Sequence, residues 1–282
     1  MKQYFIKFSL AFAIGGMLIS CGGSESDAPV QEQTEEKVEE TMEEDFVLPS
    51  AFQLVSLMEN SGMKYNEKLT NPIEKAPNYV TKTNQLLNLG VYSANLSYTL
   101  LSDQFDPARK YFKVVIELAD KTGLSEIYNP QLYAGRFEKN IGKKDSLIEM
   151  INELQEKVDL YIFEFNQPDI AVISFVGSWI EANYIASNSI NNENKNILHS
   201  RLLEQFDMAA MLASGLKQVK SPDGDIAALI EDLNLISSLY ENLPVITSKS
   251  PRQSFQELKV SSEELQPIFD VLAKSRKRIT QS

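Results

Sequence analysis

The chain has 282 residues, 43% of them hydrophobic and 23% charged, enough apolar matter for one sizeable core. Its net charge of −12 argues against nucleic acid as a partner, because that affinity comes from neutralising phosphates with Lys and Arg. One histidine and one cysteine exclude a His-rich metal centre and an internal disulfide, and no cofactor is implied.

Residues 1–20 read as a signal peptide. Lys2 and Lys7 supply a positive n-region, and residues 8–19 are apolar or small, the length of a secretory h-region. A permanent spanning helix needs about twenty such residues, and Gly15 and Gly16 interrupt this run. Leu18, Ile19 and Ser20 then lead into Cys21. That sequence resembles bacterial lipoprotein signals, which implies cleavage before Cys21 and its acylation. Each buried acyl methylene contributes about 0.8 kcal/mol, so two or more chains hold stably. The expected membrane contact is therefore a lipid anchor.

Residues 22–48 hold ten acids against one base, Lys37, and almost no large apolar side chain before Phe46. Such a segment cannot bury enough surface to offset the entropy of ordering, so 21–48 is expected to be a disordered tether. A coil of this length spans roughly 30 Å, and more when it repels itself. Residues 49–282 keep 24 bases against 29 acids, so the strong acidity belongs to the tether. Ser24-Glu25-Ser26-Asp27 resembles the acidic export signals that send some lipoproteins of the Bacteroidota to the cell surface. A solvated spacer on a periplasm-facing protein fits the same residues. The expected location is the outer membrane, with its face left open.

From residue 49 onward the apolar spacing is helical rather than alternating, which predicts an all-α domain over 49–282. Leu147, Ile151, Leu154, Val158, Tyr161 and Phe165 form one stripe, opposite Glu149, Asn152, Glu153, Glu156 and Lys157. Leu198, Leu202, Phe206, Ala209, Leu212 and Leu216 form a second, and Ile226, Ile230, Leu233, Ile236 and Tyr240 a third. Asp106-Pro107 reads as an N-cap followed by Pro at N1, and Gly123 as the glycine that ends that helix. Asn71-Pro72 with Glu74, Ser250-Pro251 with Gln253, and Ser261 with Glu264 have the spacing of helix starts, the last two as capping boxes. About nine helices follow, near 50–61, 78–104, 107–122, 126–140, 146–166, 169–189, 194–218, 225–242 and 262–279, in a multi-helix bundle or stacked helical hairpins.

Two helices look central. Residues 86–101 carry leucines on two faces and a row of small residues, Gly90, Ala94 and Ser97. Residues 170–187 open on a nearly continuous apolar run and carry Ser178, Ala182 and Ala186 at every fourth position. Small residues at that spacing let another helix approach closely. Gly90-Val91-Tyr92 is faintly like Gly177-Ser178-Trp179. Each is followed by a long amphipathic helix ending in Gly-Leu, at Gly123-Leu124 and Gly215-Leu216, so a weak internal duplication of helical hairpins is one reading and coincidence the other.

Four stretches carry a resemblance. They are residues 89–98 (LGVYSANLSY), 111–124 (YFKVVIELADKTGL), the region from Arg136-Phe137 through Lys144-Asp145-Ser146-Leu147, and 177–181 (GSWIE). Here the chain resembles a family of uncharacterised all-helical lipoproteins of the Bacteroidota, with Ser178 where the family often has a second glycine. The resemblance implies a helical lipoprotein fold and no reaction.

Chemistry is sparse. His199 stands without a Glu-x-x-His partner, since residue 196 is Asn, and no nucleophile elbow or phosphate loop accompanies it. It reads as a partly exposed helical histidine. Glu181, beside Trp179 and Ile180 in the most apolar helix, is the one weak candidate for a general acid. Desolvation there would raise its pKa, and one such glutamate serves some helical enzymes that cut cell-wall glycan. The bland reading is a hydrogen bond to a neighbouring helix. Glu164, between two phenylalanines, carries the same ambiguity. Trp179, Tyr92 and Tyr98 could line a ligand groove, although buried aromatics are more often plain core. The basic run Lys274-Ser275-Arg276-Lys277-Arg278 suits the C-terminal end of a helix dipole.

These readings favour a non-catalytic binding or assembly module, lipid-anchored in the envelope and meeting an unknown envelope protein partner. The alternatives are an envelope glycan-cleaving enzyme using a single glutamate, or a carrier of a small apolar ligand held between the two central helices.

Overall fold

A computed structural model describes residues 48–281. The signal peptide, Leu18, Ile19, Ser20, Cys21 and almost all of the tether lie outside the described residues. Among the described residues the secondary structure is entirely helical. The elements are α1 (Ala51–Glu59), α2 (Lys82–Leu101), α3 (Phe105–Thr122), α4 (Pro130–Lys139), α5 (Lys144–Glu164), α6 (Pro168–Ser187), α7 (Lys195–Phe206), α8 (Ala209–Lys217), α9 (Gly224–Glu241), α10 (Pro244–Thr247) and α11 (Ser262–Gln281). Short 3-10 turns cover Glu67–Leu69, Ile73–Asn78 and Phe255–Glu257.

The architecture is a bundle built around α2 and α6, which cross at the centre. Helices α1, α3 and α11 pack on α2, and α1, α5, α7, α8 and α11 on α6, while α9 joins α8 and α11 on the far side. The crossing is close because both helices offer glycine there. A Cβ on Gly90 would collide with the Ser174 carbonyl oxygen, and one on Gly177 with the Leu87 carbonyl oxygen. Ser178 Oγ donates to the Gly90 carbonyl at 3.2 Å across the same contact. By length and hydropathy α6 could cross a bilayer, but 72% of that window is buried inside the body. Its apolarity is that of a core helix.

Local signals set most ends. Ser50 and Gln53 form a reciprocal capping box at α1, and Ser261 and Glu264 do the same before α11. Gly123 ends α3 in the left-handed region at φ 95°, which a Cβ would penalise.

Four expectations are corrected. Helix α3 begins at Phe105, so Asp106 and Pro107 occupy its first turn rather than the cap and N1; the amides there lack intrahelical partners, so the proline is tolerated. Ser250 starts no α-helix; Gln253 N–H instead donates to its carbonyl in a turn, and only the short 3-10 turn Phe255–Glu257 follows before α11. The helix expected over 194–218 breaks at Asp207 and Met208, yet its six-residue apolar stripe stays buried across the break. Gly215, read as the counterpart of Gly123, lies inside α8.

Candidate functional site

Four of the residues singled out for chemistry are sealed in the centre. Glu181, Tyr92, Tyr98 and Trp179 are each 0% exposed. Glu181 sits on the fourth turn of α6, facing α2 and α11. Its Oε1 accepts from Asn95 Nδ2 at 2.6 Å and from Arg276 Nη2 at 3.1 Å, and its Oε2 from Arg276 Nε at 2.7 Å. Arg276 also donates to the Leu69 carbonyl at 3.0 Å and lies over the Tyr184 ring at 4.1 Å. Burial pulls the guanidinium pKa down, but the charge and hydrogen bonds of Glu181 more than offset it, and the net direction is up. This is a bidentate buried ion pair, with both carboxylate oxygens engaged.

The surrounding polar groups continue the network. Asn95 Oδ1 accepts from the Asn71 backbone N–H at 2.6 Å, and Asn71 Nδ2 donates to Tyr79 Oη at 3.0 Å. Tyr79 Oη donates in turn to the Thr280 carbonyl at 3.3 Å, Lys75 Nζ donates to the same carbonyl at 3.2 Å, and Asn88 Nδ2 donates to the Ile279 carbonyl at 2.9 Å. These carbonyls belong to the last turn of α11, which has no intrahelical donors to meet them.

Trp179, Tyr92 and Tyr98 are not brought together as a groove. Tyr92 Oη donates to the Pro72 carbonyl at 2.8 Å, and Tyr98 Oη accepts from Asn66 N–H and donates to the Lys64 carbonyl. Burial pushes both phenols up. Trp179 instead meets Phe206 edge to face at 6.4 Å, on the other side of the bundle. Each ring is core, held by its own neighbours.

The basic run of α11 is likewise structural. Lys274 Nζ, Ser275 Oγ and Arg278 Nη1 all donate to Asp232 of α9, at 3.0, 2.9 and 2.6 Å. With Arg276 on Glu181, three of its four cations bind α11 to the body through side chains, which corrects the dipole reading. His199 is also corrected: it is 4% exposed. Its Nδ1 lies 2.8 Å from the Val260 carbonyl, which can only accept, so Nδ1 carries the proton and Nε2 accepts from Ser262 Oγ at 2.9 Å. Burial is the main cause of its lowered pKa. Glu164 is exposed at the end of α5. Among the described residues no three His, Cys, Asp or Glu side chains gather as a metal site.

A groove opens outward between the start of α1 and the length of α5, and a second opening of about 580 Å³, lined by Lys195 and His199, lies between α7 and the start of α11. The groove has three adjoining compartments of about 80, 40 and 590 Å³, all touching Ser50 and Gln155. The first reaches the α2–α6 crossing at Gly90, Ser93 and Ser178, and the second meets α2 at Ser93, Leu96 and Ser97. The wide outer one lies between Leu48, Phe52 and Gln53 on one bank and Asn152, Gln155, Glu156, Asp159 and Leu160 on the other. The α5 bank follows the i, i+3, i+4, i+7, i+8 rhythm of a single helix face. Phe163, 84% exposed, continues that face by register, and Leu160 is 53% exposed. Gln155 Nε2 donates to Asp159 Oδ1 at 2.8 Å, and partial desolvation pushes the Asp159 pKa up although the residue remains exposed.

Sequence reasoning missed this groove because it assigned Asn152 and Glu156 to the wet face of α5. The signal available was Leu160 and Phe163, two large apolar residues off the predicted stripe. No family model, curated protein or solved structure matches this chain.

Proposed function

We propose that this protein is a lipid-anchored lipoprotein of the outer membrane whose helical body works by recognition rather than catalysis, with the α1–α5 groove as the recognition surface. One observation carries the reading: Glu181, Trp179, Tyr92 and Tyr98 are closed into the core, while a groove bordered by exposed Leu160 faces outward, with exposed Phe163 next on the same helix face. Exposed large apolar side chains on a common helix face are characteristic of interaction surfaces. A glycan-cleaving role for Glu181 finds no support in its surroundings, because both oxygens are held and the residue is 0% exposed.

The anchor rests on the sequence around Cys21. Cys21→Ala is expected to move the protein from the membrane fraction to the soluble fraction; unchanged retention in the membrane would sink the anchor. For the surface, a photo-crosslinking residue is placed at Gln155 or Phe163 in cells, and at Lys113 or Asp270 as controls. The groove positions are expected to give one discrete adduct that the controls lack. Adducts equally frequent at all four positions, or none, would overturn the recognition reading.

A further inference from the structure

The groove has one sign of charge. Across its three compartments the ionisable lining residues are Glu156, Asp159 and the phenol Tyr128, with no Lys or Arg among the lining residues. Glu156 and Asp159 are three apart on α5 and so share a face, with Leu160 beside them and Phe163 one turn on. Opposite stand Leu48 and Phe52. The amides Gln53, Asn152 and Gln155 lie between. From residue 152 to 163 the α5 bank runs roughly 17 Å, about three helical turns.

We propose that this groove takes an amphipathic, positively charged helical segment of a partner protein, its apolar side chains set between Phe52 and Leu160 and a Lys or Arg placed on Glu156 and Asp159. The inference rests on the recognition reading above and names the chemistry of its partner. A helix laid in an apolar groove is a recurring mode of peptide recognition, anchored at i, i+3, i+4 and i+7. Here the carboxylates supply the selection. Glu156 and Asp159 are both exposed on the α5 bank, so a cation is steered and selected by charge complementarity, an attraction that salt weakens. A bilayer suits the site less well, because two carboxylates would face hydrocarbon or anionic headgroups. A second copy suits it less well too. The most basic stretch of the chain, 274–278, already binds Asp232 and Glu181 through Lys274, Arg276 and Arg278.

The experiment uses the full chain and two synthetic amphipathic peptides of about three turns, one of Leu and Lys and one of Leu and Glu in the same pattern, followed by fluorescence anisotropy. The Leu/Lys peptide is expected to bind and the Leu/Glu peptide not to. Glu156→Lys with Asp159→Lys should weaken the first by about tenfold or more and admit the second. Glu117→Lys with Glu231→Lys makes the same change in net charge at exposed positions that do not line the groove and should leave binding unchanged. Equal loss in the two double variants would reduce the effect to net charge and overturn the proposal. Equal affinity for the two peptides would also overturn it, as would a dimer of the chain that Asp159→Lys dissociates. If neither peptide binds while crosslinking at Gln155 still yields its discrete adduct, recognition stands and the cationic partner falls.

Discussion

At the scale of single residues the informative pair is Glu181 and Arg276. Each side chain is almost withdrawn from water, at 0% and 15% exposure, so neither charge is tolerable without the other. Arg276→Met should cost about 3–5 kcal/mol, because it leaves a carboxylate unpaired in the core. Glu181→Leu combined with Arg276→Met removes the stranded charge and should cost clearly less than the two single changes added together. Urea unfolding of the three variants measures this, and simple additivity would refute the coupling. His199 makes a different prediction. Its folded pKa lies below the ordinary 6.5, so between the two values the unfolded chain binds the extra proton and the folded chain does not. Stability should therefore fall as pH drops below 6.5 toward the folded value, and His199→Gln should flatten that part of the curve. Because this is the only histidine, a single imidazole resonance titrating below 6.5 would report it directly.

At the scale of elements, the glycines separate by what surrounds them. Gly90 and Gly177 each lie where a Cβ would strike backbone of the opposite helix, so Gly90→Ala or Gly177→Ala must push α2 and α6 apart. Overpacking of this kind costs about 1–3 kcal/mol or more. Gly135, on the exposed face of α4 with open space where a Cβ would sit, has no such duty. Gly135→Ala should stabilise by roughly 0.5–1 kcal/mol by lowering the entropy of the unfolded chain. Thermal melts of the three variants are expected to shift in opposite directions; a destabilised Gly135→Ala or a neutral Gly90→Ala would contradict the packing described. Elements are also where sequence reading was strongest. The small-residue rows of α2 and α6 signalled that another helix comes close to each, because close approach requires small side chains; that the two meet each other, at Gly90 and Gly177, was not in the spacing. Phe165 was misplaced on the buried stripe because α5 stops at Glu164, and beyond a helix end the 3.6-residue rhythm no longer says which way a side chain points.

For the whole molecule, the all-helical class and the central pair could be read from spacing, whereas the groove could not. Spacing reports which face of a helix is apolar; it does not report how far two helices stand apart. Asn152, Gln155 and Glu156 look like any solvated face until α1 is found across from them. The tertiary partners of Glu181 and Asp232 were equally hidden. Arg276 and Arg278 lie in a basic run whose local explanation, the helix dipole, was complete without them. Their actual partners lie 95 and 46 residues away in sequence.

That separation has a consequence for how the molecule comes into being. The acid at the heart of the bundle is synthesised long before the base that neutralises it, so every chain passes through a stage in which closing its centre would bury an unpaired carboxylate. A polypeptide cut short ahead of residue 276 would stay at that stage, with the carboxylate of α6 needing water that a closed bundle excludes. Completion of the chain thus adds to the stability of what was made before it, and fragments ending ahead of residue 276 are expected to yield to proteases sooner than the full body.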